Sequence, residues 1–446
     1  MENTSNSTQN DTGHVTESVP LNERQPWYVP AIIFGGLEFC IPVLLIGGIL
    51  IGNFSLLEIV GILMIGLVFF QWIGNAIQGY IGAKTGLTSS ALAALSFGKQ
   101  QSRIIVGLVI LMLTLGWWAI QTTVAADALV ALLDINKEEN LFLYILCTAV
   151  IGFLFAIPSI LGYSSIKWVD YIAIPAGLLL VTVALYLSID NMGWEKIASW
   201  NPESSMSFVG AINLVIGVNV AQWLIAPDYT RYAKPKWRDN ILIPLGIIII
   251  GFPLFLVGGI MSMGTGNADI VQVMQEIGFP AWGFIVLWVA TWTSQLVSNY
   301  TGGLVLCNMF NLKDDKSRKI MTMLFAVVGI LLALIGIMDQ FVNFLYALAL
   351  VVPVIAGVII SHYFFVNKAV FTTKQSWNWL ATISMVVGIV VGYITQYLYP
   401  IGIPAVQSLI ASGLFYILIN PKRAKKVSNG LEVIKINPQQ QESTVS

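Results

Sequence analysis

The chain of 446 residues carries 22 Lys and Arg against 23 Asp and Glu, and 57 % of it is apolar while only 10 % is charged. A mean hydropathy of +0.79 leaves no room for a sizeable soluble domain, and a formal net charge of −1 gives no footprint for a nucleic acid. Cys40, Cys147 and Cys307 sit in apolar segments without metal-ligand spacing, so they read as small apolar residues and require no disulfide.

Residues 1–27 are polar, rich in Asn, Ser and Thr, and lack the apolar core of a cleavable signal, which predicts a disordered N-terminal tail. Residues 28–421 then read as an all-α polytopic membrane domain of about twelve apolar stretches. Each is long enough to cross a ~30 Å hydrocarbon layer as a helix. Breaks at polar clusters put the spans near 30–52, 56–82, 103–133, 141–161, 168–189, 208–228, 240–263, 280–309, 319–338, 341–366, 378–399 and 402–420. The outside link 264–279 has no basic residue and enough apolar character for a small surface helix.

All Lys and Arg but Lys137 and Lys196 lie in the N-terminal segment, in every second loop, or in the tail 422–446, and acidic residues flank both exceptions. This positive-inside bias predicts a multi-pass protein of the plasma or inner membrane with both termini cytoplasmic. The run Lys422, Arg423, Lys425 and Lys426 reads as an orientation signal rather than a lipid site. No phosphate-cradling glycine loop occurs, which argues against an ATP-driven pump.

Spans one and six stand apart. The first contains Gly35-Gly36, Pro42 and Gly47-Gly48, and the sixth contains Gly217, Asn219, Gln222 and Pro227. Such interruptions at corresponding places in two five-span halves predict broken helices of an inverted-repeat transporter. Polar residues at mid-depth are costly in hydrocarbon and so mark a pathway. Glu38 falls about 16 Å past Trp27 along a helix. Trp117 and Trp118, Asn219, and the stretch Thr293, Ser294 and Gln295, with Asn299 a turn on, fall at the same depth.

Each has a plainer account. The tryptophans could pack, Thr293 and Ser294 could bond their own helix, and Asn219 and Asn299 could join helices. Glu38, an intramembrane carboxylate without Lys or Arg nearby in sequence, must be protonated, paired with a cation, or used by a substrate. Asp170 and Asp228 are explained by ion pairs with Lys167 and Arg231. Asp127 faces outer water, and His362 is expected to be wet at a span end.

The loop GYIGAKTGLTSSALAALSFG at 79–98, APDYTRYAK at 226–234, GWWAIQTTVAADA at 116–128 and QFVNFLYALALVVPVIAGVIISHYF at 340–364 together resemble the nucleobase–cation symporter family, which includes cytosine, purine, allantoin and hydantoin permeases. The resemblance runs from residue 19 to 423. It implies a leucine-transporter-type five-plus-five inverted repeat, about 28–190 and 207–367, followed by two extra helices at about 378–420.

It also implies that Trp117 stacks on a planar substrate, as suits a π face. Gln121 matches a glutamine of the hydantoin-type members, whereas the cytosine-type glutamine position holds Thr114. Asn299 matches a substrate-binding amide. Asn219 and Glu38 join the candidate substrate residues by depth. The family's sodium site corresponds to carbonyls near Gly36 and Phe39, a carbonyl at Ala290, and hydroxyls at Thr293 and Ser294. Unwound carbonyls supply such oxygens without net charge.

The usual second aromatic of span six is Asn219 here, so any sandwich on the substrate would need Trp223 or Trp118. Relatives generally lack a carboxylate at Glu38, and their Asp-Tyr ending span ten is His362-Tyr363. The expected function is import of a nucleobase of the cytosine or purine type, or of a related heterocycle such as an allantoin or hydantoin. Sodium or a proton is the coupling ion, and no other cofactor and no obligatory protein partner is implied. A channel would show a filter motif or rings of like residues. An intramembrane enzyme would need a catalytic set at mid-depth, and the two histidines, His14 and His362, are not placed for one.

Overall fold

The computed structural model describes residues 18–38, 40–137, 139–263, 270–276, 278, 281–312, 314–366 and 376–420, with the side chains at 163–174, 176, 270, 290 and 293 outside that description. Within it the backbone is helical, with one isolated bridge between Gln25 and Ala233. The helices follow the expected twelve-span layout. Span one is the pair Tyr28–Glu38 and Ile41–Ile51, bent by 61°. Then come Leu56–Thr85, Lys99–Leu132, Leu141–Leu161, Tyr163–Met192, Phe208–Thr230 and Trp237–Met263 as spans two to seven. Spans eight to twelve are Ala281–Phe310, Asp315–Ile335, Ile337–Val366, Trp379–Leu398 and Pro404–Ile419. The short helix expected between spans seven and eight forms at Ile270–Glu276.

Both halves of span one pack on span seven, and the second half of span six packs on span two, its counterpart in reverse. Span three lies on span eight and span four on span nine, while spans eleven and twelve lean on span ten. Two inverted five-span halves produce this pairing. Glycines let the backbones approach. A Cβ at Gly246 would run into the Ala31 carbonyl oxygen, one at Gly258 into that of Leu44, and one at Gly47 into that of Phe255. Without a hydrophobic drive between helices in lipid, such close van der Waals contact is what holds spans together.

Four expectations change. The tail is not loose up to residue 27, because from Ser18 onward it is tied to the C-terminal ends of spans two and six. Ser18 Oγ donates to the Thr85 carbonyl at 2.6 Å, and Val19 N–H donates to Gly86. Arg24 donates to the carbonyls of Ala83 and Ala233 at 2.8 and 3.2 Å. Burial, and then the Arg231 charge, lower its guanidinium to about 10.

Secondly, Asp228 does more than sit beside Arg231. Its Oδ1 accepts the Ser89 N–H at 2.9 Å, at the first turn of the helix Ser89–Phe97 between spans two and three. His362 is buried rather than wet, its Nδ1 2.8 Å from the Tyr416 hydroxyl of span twelve. Asp127, finally, reaches Lys137 of the following loop at 3.4 Å rather than facing water alone. The side chain of Asp170 lies outside the description.

Candidate functional site

Span one breaks between Glu38 and Cys40 rather than at its glycines, of which Gly35 and Gly47 make packing contacts. Cys40 is extended, with φ −140° and ψ 150°, and the next helix starts with Pro42 in its first turn. The Cys40 N–H donates to the Glu38 carbonyl at 2.8 Å. The Gly36 carbonyl, which would take that N–H in a continuous helix, is not given it. A released carbonyl is what a hard monovalent cation requires.

Of the cation candidates, Gly36 lies in the last turn of Tyr28–Glu38. Phe39 lies outside the described residues, and for Ala290 and Thr293 only the helical backbone of span eight is described.

Span six breaks less than expected. Its helices Phe208–Asn219 and Ala221–Thr230 meet at Val220, which keeps right-handed angles of φ −62° and ψ −23°. Gly217 is not a hinge. A Cβ there would stand 2.7 Å from the Leu345 carbonyl oxygen of span ten, so its bareness serves packing.

The centre of span three presents two faces. Trp117 is buried, with Phe344 and Phe341 of span ten edge-on to its ring at centroid distances of 5.5 and 6.4 Å. Phe344 reaches it because Gly116 has no Cβ to meet that ring. One turn on, the Gln121 Oε1 accepts the Ser294 hydroxyl of span eight at 2.9 Å. Gln121 and Ser294 thus join spans three and eight, and Trp117, one turn back on span three, meets span ten. The aromatic partners Phe341 and Phe344 were missed because they lie in span ten, inside a run of apolar residues where sequence gives no sign of direction.

Trp118 and Trp223 do not supply a second ring. The Trp118 indole donates to the Ala326 carbonyl of span nine at 3.3 Å, and Trp223 lies against Gly74 of span two. Thr114 donates its hydroxyl to its own helix at Ile110. Asn299 faces span four, its Nδ2 2.6 Å from the Ser159 hydroxyl, and Gln295 reaches back to Thr122 of span three at 2.6 Å.

Glu38 belongs to a separate polar junction. It is 0 % exposed, and its Oε2 accepts from Gln222 Nε2 at 2.8 Å. The Gln222 Oε1 accepts from Gln71 Nε2 at 3.1 Å, and the same Gln71 nitrogen donates to the Asn219 carbonyl at 2.7 Å. Asn219 stands beside the Glu38 carboxyl group. Glu38 Oε1 is unpartnered and presses on Gly251 of span seven.

Gln71 ends a widened π-helical stretch, Met64–Gln71, and opens a buried amide row with Asn75 and Gln78. Their spacing of four and three residues puts them on one face. That spacing was the available signal, and it was passed over because span two has no break.

A profile described as permease for cytosine/purines, uracil, thiamine, allantoin matches residues 19–413. The chain is 26 % identical over 431 residues to the cytosine permease of Escherichia coli, covering 94 % of this chain and 97 % of that one. It is 25 % identical over 377 residues to the hydantoin permease of Microbacterium maritypicum, covering 74 % and 73 %. Its fold matches a closed structure of Mhp1, a nucleobase-cation-symport-1 family transporter with bromovinylhydantoin bound. The TM-score is 0.77 at 19 % identity, over 92 % of this chain and 95 % of that one.

Proposed function

The chain belongs to the family of permeases for cytosine/purines, uracil, thiamine and allantoin, and from that premise we propose that it imports a planar nitrogen heterocycle by cation-coupled alternating access. As a permease it moves its substrate without converting it. The transporter unit is residues 28–421, with repeats at about 28–190 and 207–367 and both termini in the cytoplasm of a plasma- or inner-membrane protein.

The observation that carries this reading is the set Trp117, Gln121 and Ser294 on spans three and eight. Trp117 offers a ring face, Gln121 an amide and Ser294 a hydroxyl. These suit a flat heterocycle beside a monovalent cation. The cation is sodium, held by Ser294, Thr293, the Ala290 carbonyl and the span-one carbonyls near Gly36 and Phe39; a proton is the alternative coupling ion. Asn219, Asn299 and Glu38 complete the substrate candidates, Asn299 and Glu38 standing second because their side chains are engaged by Ser159 and Gln222.

A second reading, an allantoin- or hydantoin-type substrate rather than cytosine, is favoured by Gln121. It faces Ser294, whereas the Thr114 hydroxyl is turned to its own helix.

Purified protein in liposomes should accumulate one of these heterocycles only when a sodium or proton gradient is imposed. Thr293 and Ser294 replaced together by Ala should abolish sodium stimulation. Absence of accumulation across the panel under every gradient would end the transport reading. Accumulation indifferent to sodium would leave transport standing and assign the proton.

A further inference from the structure

The chain of hydrogen bonds that ends on Glu38 has a fixed direction. The Asn219 carbonyl can only accept, and Gln71 Nε2 donates to it at 2.7 Å. The same nitrogen gives its other proton to Gln222 Oε1 at 3.1 Å. Gln222 must then turn its NH2 towards Glu38, and it donates to Oε2 at 2.8 Å. Oε2 is therefore an acceptor whether the carboxyl group is ionised or neutral. A proton on Glu38 belongs on Oε1, the oxygen without a partner against Gly251.

Nothing around the group balances a negative charge. Facing it are Gln222 and Asn219 of span six, Gly251 of span seven and the Cys40 thiol of its own span, with Gln71 of span two behind Gln222. None of these is a cation, and the side chain is 0 % exposed. A carboxylate buried there without a counter-charge would cost far more than the neutral acid.

Span two extends the junction. Gln71, Asn75 and Gln78 are buried on one face, spread over about 10 Å of helix. Their nitrogens are engaged, that of Asn75 by the Gln71 carbonyl at 2.9 Å and that of Gln78 by the Ala356 carbonyl of span ten at 3.4 Å. Their oxygens, Gln71 Oε1, Asn75 Oδ1 and Gln78 Oε1, accept from nothing among the described residues. A row of free acceptors suits an occupant that donates, as water carrying an excess proton does. Because Gln78 also bonds span ten, separation of spans two and ten in a rocking cycle would uncover the row.

We infer that Glu38 is a proton-binding site of the transport cycle, protonated on Oε1 in this arrangement, and that the Gln71–Asn75–Gln78 row is its proton route. On release the Oε1–H bond breaks, the electron pair stays on Oε1, and the proton passes to a water molecule of the row as hydronium. The proton leaves towards the C-terminal end of span two. This rests on the transporter reading and adds to it a second ion, bound apart from Ser294 and moved with the substrate.

Infrared spectroscopy of the full chain in detergent reads the site without any ligand, since a protonated carboxyl has a C=O stretch that a carboxylate lacks. Wild type at neutral pH should show such a band that Glu38→Gln loses and that fades as pH rises. In deuterated water the band should shift as its proton exchanges, and Gln78→Met should slow that exchange several-fold while leaving the band in place. In liposomes holding a pH-sensitive dye, heterocycle uptake driven by sodium should acidify the lumen in wild type. Glu38→Gln should still accumulate heterocycle but leave the lumen pH unchanged.

Absence of the band at every pH, or equal acidification by wild type and Glu38→Gln, overturns the proton site and leaves the transporter reading standing. Exchange unaltered in Gln78→Met overturns the route. Should Glu38→Gln fail to fold, an isotopic label in the glutamate carboxyls of wild type assigns the band, because Glu38 is the one buried glutamate among the described residues; a band that the label does not move overturns the site. If wild type accumulates no heterocycle under any gradient, the transport reading falls and the proton role falls with it.

Discussion

The contact between spans three and eight and the junction of spans one, two, six and seven lie at similar depth but are built from opposite materials. The first joins two unbroken helices through aromatic rings and hydroxyls. Its groups are neutral, and beside it Gly116 of span three takes the Phe344 ring of span ten, a glycine-to-side-chain approach. The second joins spans one, two and six through a carboxyl group, two side-chain amides and the Asn219 backbone carbonyl. Its closest approaches are glycine to backbone, at Gly47, Gly246 and Gly258. A ring can rotate out of the way and a carbonyl cannot. The first surface is therefore tolerant and can be shaped to a ligand, while the second is fixed in its spacing and moves only as a unit. An alternating-access machine needs both, a surface to read its substrate and a pivot whose halves keep register.

Substitution of glycine tests that contrast most severely. Gly258→Leu, which drives a side chain into the Leu44 carbonyl, should destabilise by about 3 kcal/mol or more, at the upper end of overpacking costs. Gly116→Ala needs only a turn of Phe344 and should cost about 1 kcal/mol. Thermal unfolding of the two purified variants measures the gap, and equal losses would erase the distinction between backbone and ring contact.

Binding separates the two regions next. Trp117→Ala should weaken heterocycle affinity by about 1–3 kcal/mol, the range of base–aromatic stacking, with Trp117→Phe keeping much of it. Equal titration curves for wild type and the alanine variant would remove Trp117 from the site.

The junction should respond in stability first. Glu38→Leu strands the Gln222 amide in a buried place and should cost about 1–3 kcal/mol. Glu38→Gln keeps the shape and should cost less. A change in which heterocycles bind to Glu38→Gln, with melting unaltered, would move Glu38 from the pivot to the substrate surface.

The smallest effect is expected at Asn299. With its amide on Ser159 of span four, Asn299→Ala should lose about 1 kcal/mol of stability and leave heterocycle affinity within a factor of two or so. A tenfold loss of affinity would instead support the substrate role implied by resemblance.

Some of this was legible because the membrane simplifies the code. Apolar length and the placement of Lys and Arg outlined twelve spans, since a bilayer demands continuous apolar helices and holds basic loops on one side. The depth of Trp117, Glu38, Asn219 and Ser294 followed from helical rise along the chain. Direction around a helix did not, because spans buried on several sides carry no polar face to orient them. Gly217 and Gly47 looked like hinges although they are contacts, and Trp118 looked like a second stacking ring although it faces span nine. Phe344 and Gln71 gave no alarm at all.

Sequence by itself therefore settled the class of molecule, the number of spans and which residues share a depth, because those depend on local hydropathy and on distance along one helix. Only the tertiary structure decided which of those residues meet. It put Ser294 on Gln121, Glu38 on Gln222, Asn299 on Ser159 and the N-terminal segment on spans two and six. Such meetings depend on the rotation and crossing of separate helices, which are set by packing against neighbours far away in the chain.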